Sequence, residues 1–138
     1  MPSPSPAPAT DVDVLILGGG LAGLTLAMQL RLQQPDRSVA VLERRPHPVR
    51  EAAHKVGEST VEIGAHYFAE VLGLRGHLET AQVRKYGLRY FFSDGMAQVH
   101  PCSEMGVSRL LPTPSWQIDR GRFENFLGER VRALGIDF

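Results

Sequence analysis

The sequence predicts an α/β fold that begins with a strand, a helix and a second strand. The short aliphatic run Asp13–Leu17 is typical of a strand that is buried on both faces of a parallel sheet. Leu21–Gln33 is rich in Leu and Ala and ends just before Pro35, which is typical of a helix. Ser38–Glu43 is a second apolar strand. Strand, helix and strand in this order almost always form a right-handed unit with parallel strands.

The middle of the chain predicts a loop and then a helix. Arg44–Val56 contains prolines, histidines and several charges, and predicts the loop. Ser59-Thr60-Val61-Glu62 matches the Ser-x-x-Glu capping box, in which the serine begins a helix. Gly73 is a suitable C-terminal stop for this helix. Apolar side chains follow at helical spacing, at Val61, Ala65, Phe68 and Leu72.

A small antiparallel hairpin is predicted next. Tyr86–Phe92 is an aromatic strand, Ser93–Gly95 is a turn signal, and Met96–His100 is the predicted returning strand. We expect Tyr90, Phe91 and Phe92 to belong to the core of the sheet. The following segment, Pro101–Pro114, predicts a loop.

The last predicted helix begins after Asp119, a suitable cap, and ends at Gly135. Its apolar face is formed by Phe123, Phe126, Leu127, Val131 and Leu134. Ile136–Phe138 is typical of a strand that is just beginning. We therefore interpret the sequence as the front portion of a longer protein, with an extended tail over residues 1–10 and one domain over residues 11–138.

The composition excludes several classes of function. Fifteen Lys and Arg balance fifteen Asp and Glu, so a net charge of zero offers no electrostatic basis for binding nucleic acid or an anionic membrane. Cys102 is the only cysteine, which excludes an internal disulfide, and the five histidines show no metal-ligand spacing. Val14–Leu30 approaches the length of a membrane span but contains three glycines, and residues 1–10 do not form a signal peptide. We therefore expect a cytoplasmic protein without a metal.

A glycine-rich turn follows the first strand and indicates a nucleotide site. Gly18, Gly20 and Gly23 form the pattern G-x-G-x-x-G, and Glu43 follows 20 residues after Gly23. Gly18 permits the tight turn, Gly20 lets the backbone approach a pyrophosphate, and Gly23 allows close packing of helix on strand. The alternative is a tight turn that binds nothing, which the flanking strands and helix make the weaker interpretation.

The start of the helix supplies the chemistry that the turn needs. The free amides around Leu21 and Ala22 and the positive end of the helix dipole suit a diphosphate. Glu43 can accept hydrogen bonds from both hydroxyls of an adenosine ribose, and its charge disfavours the 2′-phosphate of NADP. The pattern itself leaves FAD and NAD open.

Two later segments resemble the flavin-dependent halogenases, which belong to the superfamily of FAD monooxygenases. Lys55–Val61, K-V-G-E-S-T-V, resembles the V-G-E-S/A-T segment of the halogenases. Ile118–Leu127, I-D-R-G-R-F-E-N-F-L, is similar to the D-R-x-x-F-D-x-x-L helix of the whole superfamily. The resemblance implies that FAD is the cofactor and that the domain is a Rossmann-type FAD-binding domain.

The resemblance also implies site residues. Gly57, Glu58 and Ser59 would lie near the flavin, Arg44 along the adenosine side, and Arg120 on the FAD-binding face. Alternatives remain open for three of them: Ser59 is explained by the capping box, Arg44 by a solvated loop, and Arg120 by pairing with a nearby carboxylate.

Lys85 is the candidate catalytic residue. It stands in R-K-Y-G-L-R-Y-F-F, which resembles the halogenase segment K-x-G-x-x-F-x-W, although Phe92 stands where tryptophan is usual. In that family the lysine binds hypohalous acid, formed from reduced FAD, oxygen and halide, and passes the halogen to an electron-rich substrate. A lysine that is only an exposed strand residue is the alternative.

The resemblance therefore implies an FAD-dependent oxidoreductase acting on a small, aromatic or electron-rich molecule, with a separate flavin reductase as partner. Two alternatives remain open. One is an aromatic hydroxylase or related monooxygenase that uses NAD(P)H, and the other is a flavin-binding fragment without catalytic activity. The W-x-W-x-I-P motif of the halogenases is absent from these residues.

Overall fold

A computed structural model describes residues 11–92, 95, 102–109 and 111–138. The chain divides into two compact units, one formed by residues up to Ala53 together with Arg120–Phe138, and the other by His54–Asp119. We call them the first and the second unit. The predicted tail and the predicted strand Met96–His100 lie outside the described residues. No helix of the described part has the length and apolar character that crossing a membrane requires.

The first unit contains the predicted βαβ arrangement. Strand β1 spans Val14–Leu17, helix α1 spans Leu21–Gln33, and strand β2 spans Val39–Leu42. The two strands are parallel, with Val14 opposite Val39 and Leu17 opposite Leu42. The α/β class and the parallel sheet predicted from the sequence are therefore confirmed.

A third piece of extended chain lies beside β2. Gly135, at φ +71°, ends the last helix of the first unit. The backbone then continues so that Asp137 bridges Ala40 in parallel, and the carbonyl of Asp137 accepts a 2.8 Å hydrogen bond from the amide of Val41. The strand predicted to begin at Ile136–Phe138 is thus paired with β2.

The core of the first unit lies between the sheet and two helices. Helix α4 spans Arg120–Ala133 and packs against α1. Its predicted apolar face is confirmed, because Phe123, Leu127 and Val131 are fully buried. The sheet and α1 contribute the remaining large buried side chains, among them Ile16, Leu24, Met28, Val39 and Val41.

The second unit begins with helical elements. Helix α2 spans Glu62–His66, continues as a π-helical turn over Tyr67–Val71, and ends at Gly73, whose φ is +67°. Helix α3 spans Arg75–Ala81. The sequence did not predict α3, because it buries a single large apolar residue, Leu78, and so has no apolar periodicity.

Four short strands complete the second unit. Strands β3, Val83–Lys85, and β6, Ser115–Gln117, form one antiparallel pair. Strands β4, Arg89–Phe92, and β5, Ser103–Gly106, form another. Strand β4 lies within the predicted aromatic strand, but its partner β5 lies in the segment predicted as a loop, residues 101–114, and the predicted returning strand is outside the described residues.

The aromatic residues of β4 correct one expectation. Tyr90, Phe91 and Phe92 are each half exposed, at 56%, 50% and 54%, so the expectation that they form sheet core is wrong. The physical reason is that, among the described residues, β4 pairs with β5 alone, so these side chains lie on a two-stranded ribbon and not inside a larger sheet.

Candidate functional site

The glycine turn of the first unit has the geometry that the sequence predicts. Gly18 has φ +118°, a conformation that side chains rarely permit, and its amide donates a 2.7 Å hydrogen bond to the carbonyl of Leu42. A Cβ atom on Gly23 would collide with the carbonyl oxygen of Gly18 and lie 3.2 Å from the side chain of Ile16. Gly23 therefore allows α1 to start directly against β1.

The first turn of α1 is open to an anion. Gly20 is the N-cap of α1, without a side-chain cap, and no acidic residue lies in the first turn. The first amides of a helix have no partner within the helix. A Cβ on Gly20 would meet only Glu124 Oε1, at 3.8 Å, so the backbone there has space around it. Leu21 is half buried and Ala22 is exposed, and these residues fit the diphosphate of a dinucleotide.

Glu43 is tied to the glycine turn by its carboxylate. Oε1 accepts a 2.9 Å hydrogen bond from the amide of Arg45, and Oε2 accepts a 2.8 Å bond from the amide of Gly19. These two amides hold the pKa of the Glu43 carboxyl below its ordinary value of 4.5, so the group is ionised at neutral pH. Each carboxylate oxygen can accept a second hydrogen bond, which leaves acceptor capacity for sugar hydroxyls.

Gly19 is a residue of this site that the fingerprint does not single out. A Cβ there would lie 2.8 Å from Cβ of Glu43 and 2.5 Å from a ring atom of Phe138. The carbonyl oxygen of Gly19 is 3.2 Å from Nε2 of His47, whose ring packs edge-on against Phe138 at 4.7 Å. Sequence analysis did not predict this contact of His47 with the turn, because it depends on the course of the loop after β2.

The two predicted arginines of the first unit have different surroundings. Arg44 is exposed, as a loop residue would be. Arg120 donates a 2.8 Å hydrogen bond through Nη2 to Oε1 of Glu124, one turn along α4. The Glu124 side chain is 4% exposed and that of Arg120 is 27% exposed. The pairing of Arg120 with a nearby carboxylate, one of the two interpretations of its sequence, is therefore present.

In the second unit, the segment Gly57–Thr60 lies along one edge of β6. Gly57 has φ +85° and is exposed, and Glu58 accepts a 3.0 Å bond from the amide of Lys55. The carbonyl of Glu58 accepts a 2.7 Å bond from the amide of Ile118, just past β6. Sequence reasoning did not predict this pairing, since the two segments lie about 60 residues apart.

Thr60 fixes the segment to β6. Its hydroxyl accepts a 2.8 Å bond from the amide of Trp116 and donates a 2.7 Å bond to the carbonyl of the same residue. The amide of Thr60 donates to that carbonyl as well, at 2.9 Å. Thr60 is buried, and Trp116 is 1% exposed. A buried threonine that satisfies both polar groups of one residue holds the two chains in register.

Ser59 does not cap a helix. Helix α2 begins at Glu62 with Val61 as N-cap and no side-chain cap, so the predicted capping box is wrong. Ser59 instead bridges Gln117 of β6 in extended conformation. Its hydroxyl lies 2.8 Å from Nζ of Lys85, to which it offers an acceptor. The physical reason is that β-type pairing with β6 holds the segment extended up to Val61.

Lys85 belongs to the wall of an open cavity of about 360 Å³ in the second unit. The side chain is half buried, and its ammonium donates to Ser59 and to the carbonyl of Thr60, the latter at 2.6 Å. Most of the wall is apolar, formed by residues from the start of α2, from β4 and β5 and from the loops next to these strands: Val61, Leu88, Tyr90, Met105, Val107 and Leu111. Glu62 adds a carboxylate to the same wall.

The two units thus gather different predicted residues. The first unit brings together the glycine turn, the start of α1 and Glu43. The second unit brings together Ser59 and Lys85, with Gly57 and Glu58 on the same segment. Thr60, Gly19 and Glu124 are the structurally important residues that the sequence did not indicate, because their partners are set by tertiary contacts.

The sequence matches known proteins along most of its length. Residues 16–81 match the family described as an NAD(P)-binding Rossmann-like domain. The flavin-dependent halogenase chlA of Dictyostelium discoideum is 31% identical over 128 residues, which cover 88% of this chain and 21% of that protein. This chain therefore spans about a fifth of the length of the curated relative that it matches.

Solved structures share the fold. The flavin-dependent brominase Bmp2 superposes with a TM-score of 0.71 at 24% identity, over 93% of this chain and 29% of Bmp2. The myxobacterial chondrochloren halogenase CndH, described as a variant of FAD-dependent halogenases, superposes with a TM-score of 0.69 at 26% identity, over 91% of this chain and 28% of CndH.

Proposed function

We propose that this chain belongs to the flavin-dependent halogenases, of which it spans only part, and that it binds FAD through the glycine turn of its first unit. The observation that carries the proposal is the uncapped start of α1 beside Gly20, with Glu43 closing on the same turn. An exposed set of helix amides attracts a diphosphate, and a carboxylate next to it suits the hydroxyls of a ribose.

We assign the parts of the cofactor as follows. The amides of Gly20, Leu21 and Ala22 hold the diphosphate, and Glu43 holds the adenosine ribose. Arg44, which is exposed in the loop after Glu43, contributes a positive charge on the adenosine side. The family resemblance adds contacts from residues elsewhere in the chain: Gly57, Glu58, Ser59 and Arg120. Gly18 and Gly23 act by shaping the turn.

The proposed enzyme is an FAD-dependent oxidoreductase of the halogenase type. Bound FAD, in its reduced form, supplies the electrons for oxygen activation, from which hypohalous acid arises with halide. A separate flavin reductase would provide the reduced flavin. These activities belong to the complete gene product.

Lys85 is the residue proposed to act on the halogenating species. Its ammonium is a hydrogen-bond donor at the edge of a mostly apolar wall, so it attracts a small polar oxidant into surroundings that suit an apolar substrate. Tyr90 and Met105 in this wall favour an aromatic, electron-rich molecule, because ring and thioether groups pack well on aromatic faces.

Binding of the cofactor is tested by titrating the protein with FAD, FMN and NADPH. We expect FAD to bind more tightly than FMN, since FMN lacks the adenosine that Glu43 holds. The variant Glu43→Ala should weaken the binding of FAD more than the binding of FMN, because only FAD has the ribose that Glu43 contacts. Glu129→Ala, which removes an exposed carboxylate of α4, is the matched control. If the Glu43→Ala variant binds FAD as tightly as the wild type does, the assignment of Glu43 to the adenosine ribose is wrong.

The reaction is tested with the complete gene product, reduced FAD, oxygen and bromide or chloride. Only two lysines occur in these 138 residues, so Lys55→Ala is the natural control for Lys85→Ala. We expect Lys85→Ala to abolish halogenated product while FAD binding and consumption of oxygen continue. Halogenation by the Lys85→Ala variant would remove Lys85 from the reaction, and hydroxylated product driven by NADPH would favour the monooxygenase alternative.

A further inference from the structure

The ammonium group of Lys85 is held by two fixed acceptors of the second unit. Nζ lies 2.8 Å from Oγ of Ser59 and 2.6 Å from the carbonyl oxygen of Thr60. Both distances are those of charge-assisted hydrogen bonds. Among the described residues, no carboxylate forms an ion pair with Lys85, so its charge is solvated by neutral oxygens and is not cancelled.

The backbone pairing explains how the lysine reaches these acceptors. Lys85 is opposite Ser115 on β6, while Ser59 bridges Gln117 from the other side of the same strand. The side chain of Lys85 therefore crosses β6 to reach the segment beyond it. Ser115 is a small, buried residue at the crossing point, and it lines the same cavity as Lys85.

The acceptors cannot follow the lysine if it moves. Thr60 is locked to Trp116 by three hydrogen bonds, which involve the amide and hydroxyl of Thr60 and both backbone groups of Trp116. Trp116 is itself buried in the core of the second unit. The carbonyl of Thr60 and the adjacent Ser59 are therefore part of a rigid frame, whereas a lysine side chain alone has several rotatable bonds.

We propose that Ser59 and the carbonyl of Thr60 position Lys85 Nζ for one ligand at a time in the cavity that Lys85 lines. A lysine nitrogen has three positions besides its carbon, and the two acceptors take two of them. In the charged form the third position holds a single N–H donor. In the neutral form both N–H groups remain on the acceptors, and the third position holds the lone pair. This inference rests on the proposed role of Lys85 and makes Ser59 a positioning residue.

The ligand chemistry follows from the single free position. In its charged form, Lys85 can donate to one acceptor atom of a ligand that carries no positive charge, such as the oxygen of a hypohalous acid or of a phenolate. A carboxylate could not form two hydrogen bonds with this nitrogen unless it displaced Ser59. The wall around Lys85 supplies apolar contacts and the single carboxylate of Glu62, which disfavours an anionic ligand of high charge.

The test measures how easily the amine reacts, without cofactor or turnover. The chain is treated with a limiting amount of acetic anhydride, and acetylation of Lys85 and of Lys55 is followed separately by peptide mass spectrometry. We expect Ser59→Ala to raise the rate at Lys85 by about fivefold, the factor that one ordinary hydrogen bond represents. Ser59→Thr, which keeps a hydroxyl, should restore the slow rate, and Ser103→Ala on β5 should have no effect.

The two lysines separate positioning from general loosening. Lys55 lies on the same segment as Ser59, four residues earlier. A faster rate at Lys85 alone supports the proposal. An unchanged rate at Lys85, or an equal increase at both lysines, overturns it.

A second measurement distinguishes this inference from the proposed function. In the complete gene product at saturating FAD, Ser59→Ala should lower the yield of halogenated product and release more free hypohalous acid, with recovery in Ser59→Thr. Reduced FAD affinity with an unchanged labelling rate at Lys85 would make Ser59 a flavin contact only and would overturn its positioning role. If Ser59→Ala speeds the labelling of Lys85 but the Lys85→Ala variant still halogenates, Ser59 does position Lys85. The proposed role of Lys85 in halogenation is then wrong.

Discussion

The carboxylate of Glu43 and the backbone amide of Gly19 are joined by a 2.8 Å hydrogen bond. The acid at the end of β2 therefore holds the turn at the end of β1, in addition to any contact with a sugar. Glu43 therefore has a structural role in addition to being the acidic residue of the nucleotide fingerprint. Loss of the Glu43 charge should consequently lower the stability of the folded protein even when no nucleotide is bound.

Glu43→Gln should weaken the dependence of the free energy of unfolding on pH in the acid range. The folded protein holds the pKa of Glu43 below 4.5, because the amides of Arg45 and Gly19 donate to the carboxylate. The stability that the ionised Glu43 carboxylate adds to the folded state is therefore fully present above about pH 4.5. It is lost as the pH falls through the pKa of Glu43 in the folded protein. Thermal unfolding at several pH values should show the difference in stability between wild type and variant shrinking as the pH falls further below 4.5. A constant difference between them, or the same convergence for Glu129→Gln, would contradict this role.

Gly23→Ala should destabilise the first unit and prevent nucleotide binding. The added methyl group would collide with the carbonyl of Gly18, which is backbone and cannot rotate away. Overpacking of this kind costs about 2 kcal/mol or more. Gly76→Ala is the matched control, because it is a helical glycine of α3 with open space around it, and should stabilise by about 0.5 to 1 kcal/mol. Urea unfolding measures both, and equal effects would disprove the close contact.

Thr60→Val should destabilise the second unit although it keeps the shape of the side chain. The hydroxyl of Thr60 serves both the amide and the carbonyl of Trp116, and its loss leaves a buried amide without that acceptor. The expected cost is about 1 to 3 kcal/mol. The control is Thr80→Val, whose exposed hydroxyl bonds the carbonyl of Gly76 and should matter by less than about 0.5 kcal/mol. Thr60→Ser should retain most of the stability measured by urea unfolding.

Arg120→Met should destabilise the protein more than Arg75→Met. Both arginines pair with a glutamate one turn along the same helix, but the Glu124 side chain is 4% exposed and that of Glu79 is 56% exposed. Removing Arg120 leaves a buried carboxylate without this donor, at a cost of about 2 kcal/mol. Arg75 also pairs with Glu70, but all three side chains are about half exposed, so both pairs together contribute about 0.5 to 1 kcal/mol. If the double variant Arg120→Met with Glu124→Met does not recover part of the loss, the pair is not the cause.

Much of the first unit was predictable because its signals are local. The predicted helix Leu21–Gln33 has the same bounds in the structure, and the two strands differ from prediction by one residue at their ends. A run of branched aliphatic residues, a glycine turn and a Leu- and Ala-rich stretch each specify their own conformation within a few residues. The close packing of α1 on β1 at Gly23 was predictable for the same reason.

The second unit was harder to predict, because its strands are three or four residues long and depend on distant partners. Val83–Lys85 pairs with Ser115–Gln117, and the second of these strands had no strand signal in the sequence. Ser59 illustrates the consequence. The local pattern of Ser59 and Glu62 predicts a helix cap, but pairing with β6 holds the serine extended and gives its hydroxyl to Lys85.

From its residues alone, the chain specified an α/β fold, a glycine turn after the first strand and an acid after the second, because each of these depends on neighbours within one strand, turn or helix. Folding in three dimensions decided which polar groups meet across the chain: Glu43 with Gly19, Thr60 with Trp116, and Lys85 with Ser59. A hydrogen bond acts only at about 3 Å and along a defined direction, so its partners are set by where packing brings the backbone, and sequence spacing carries no measure of that distance.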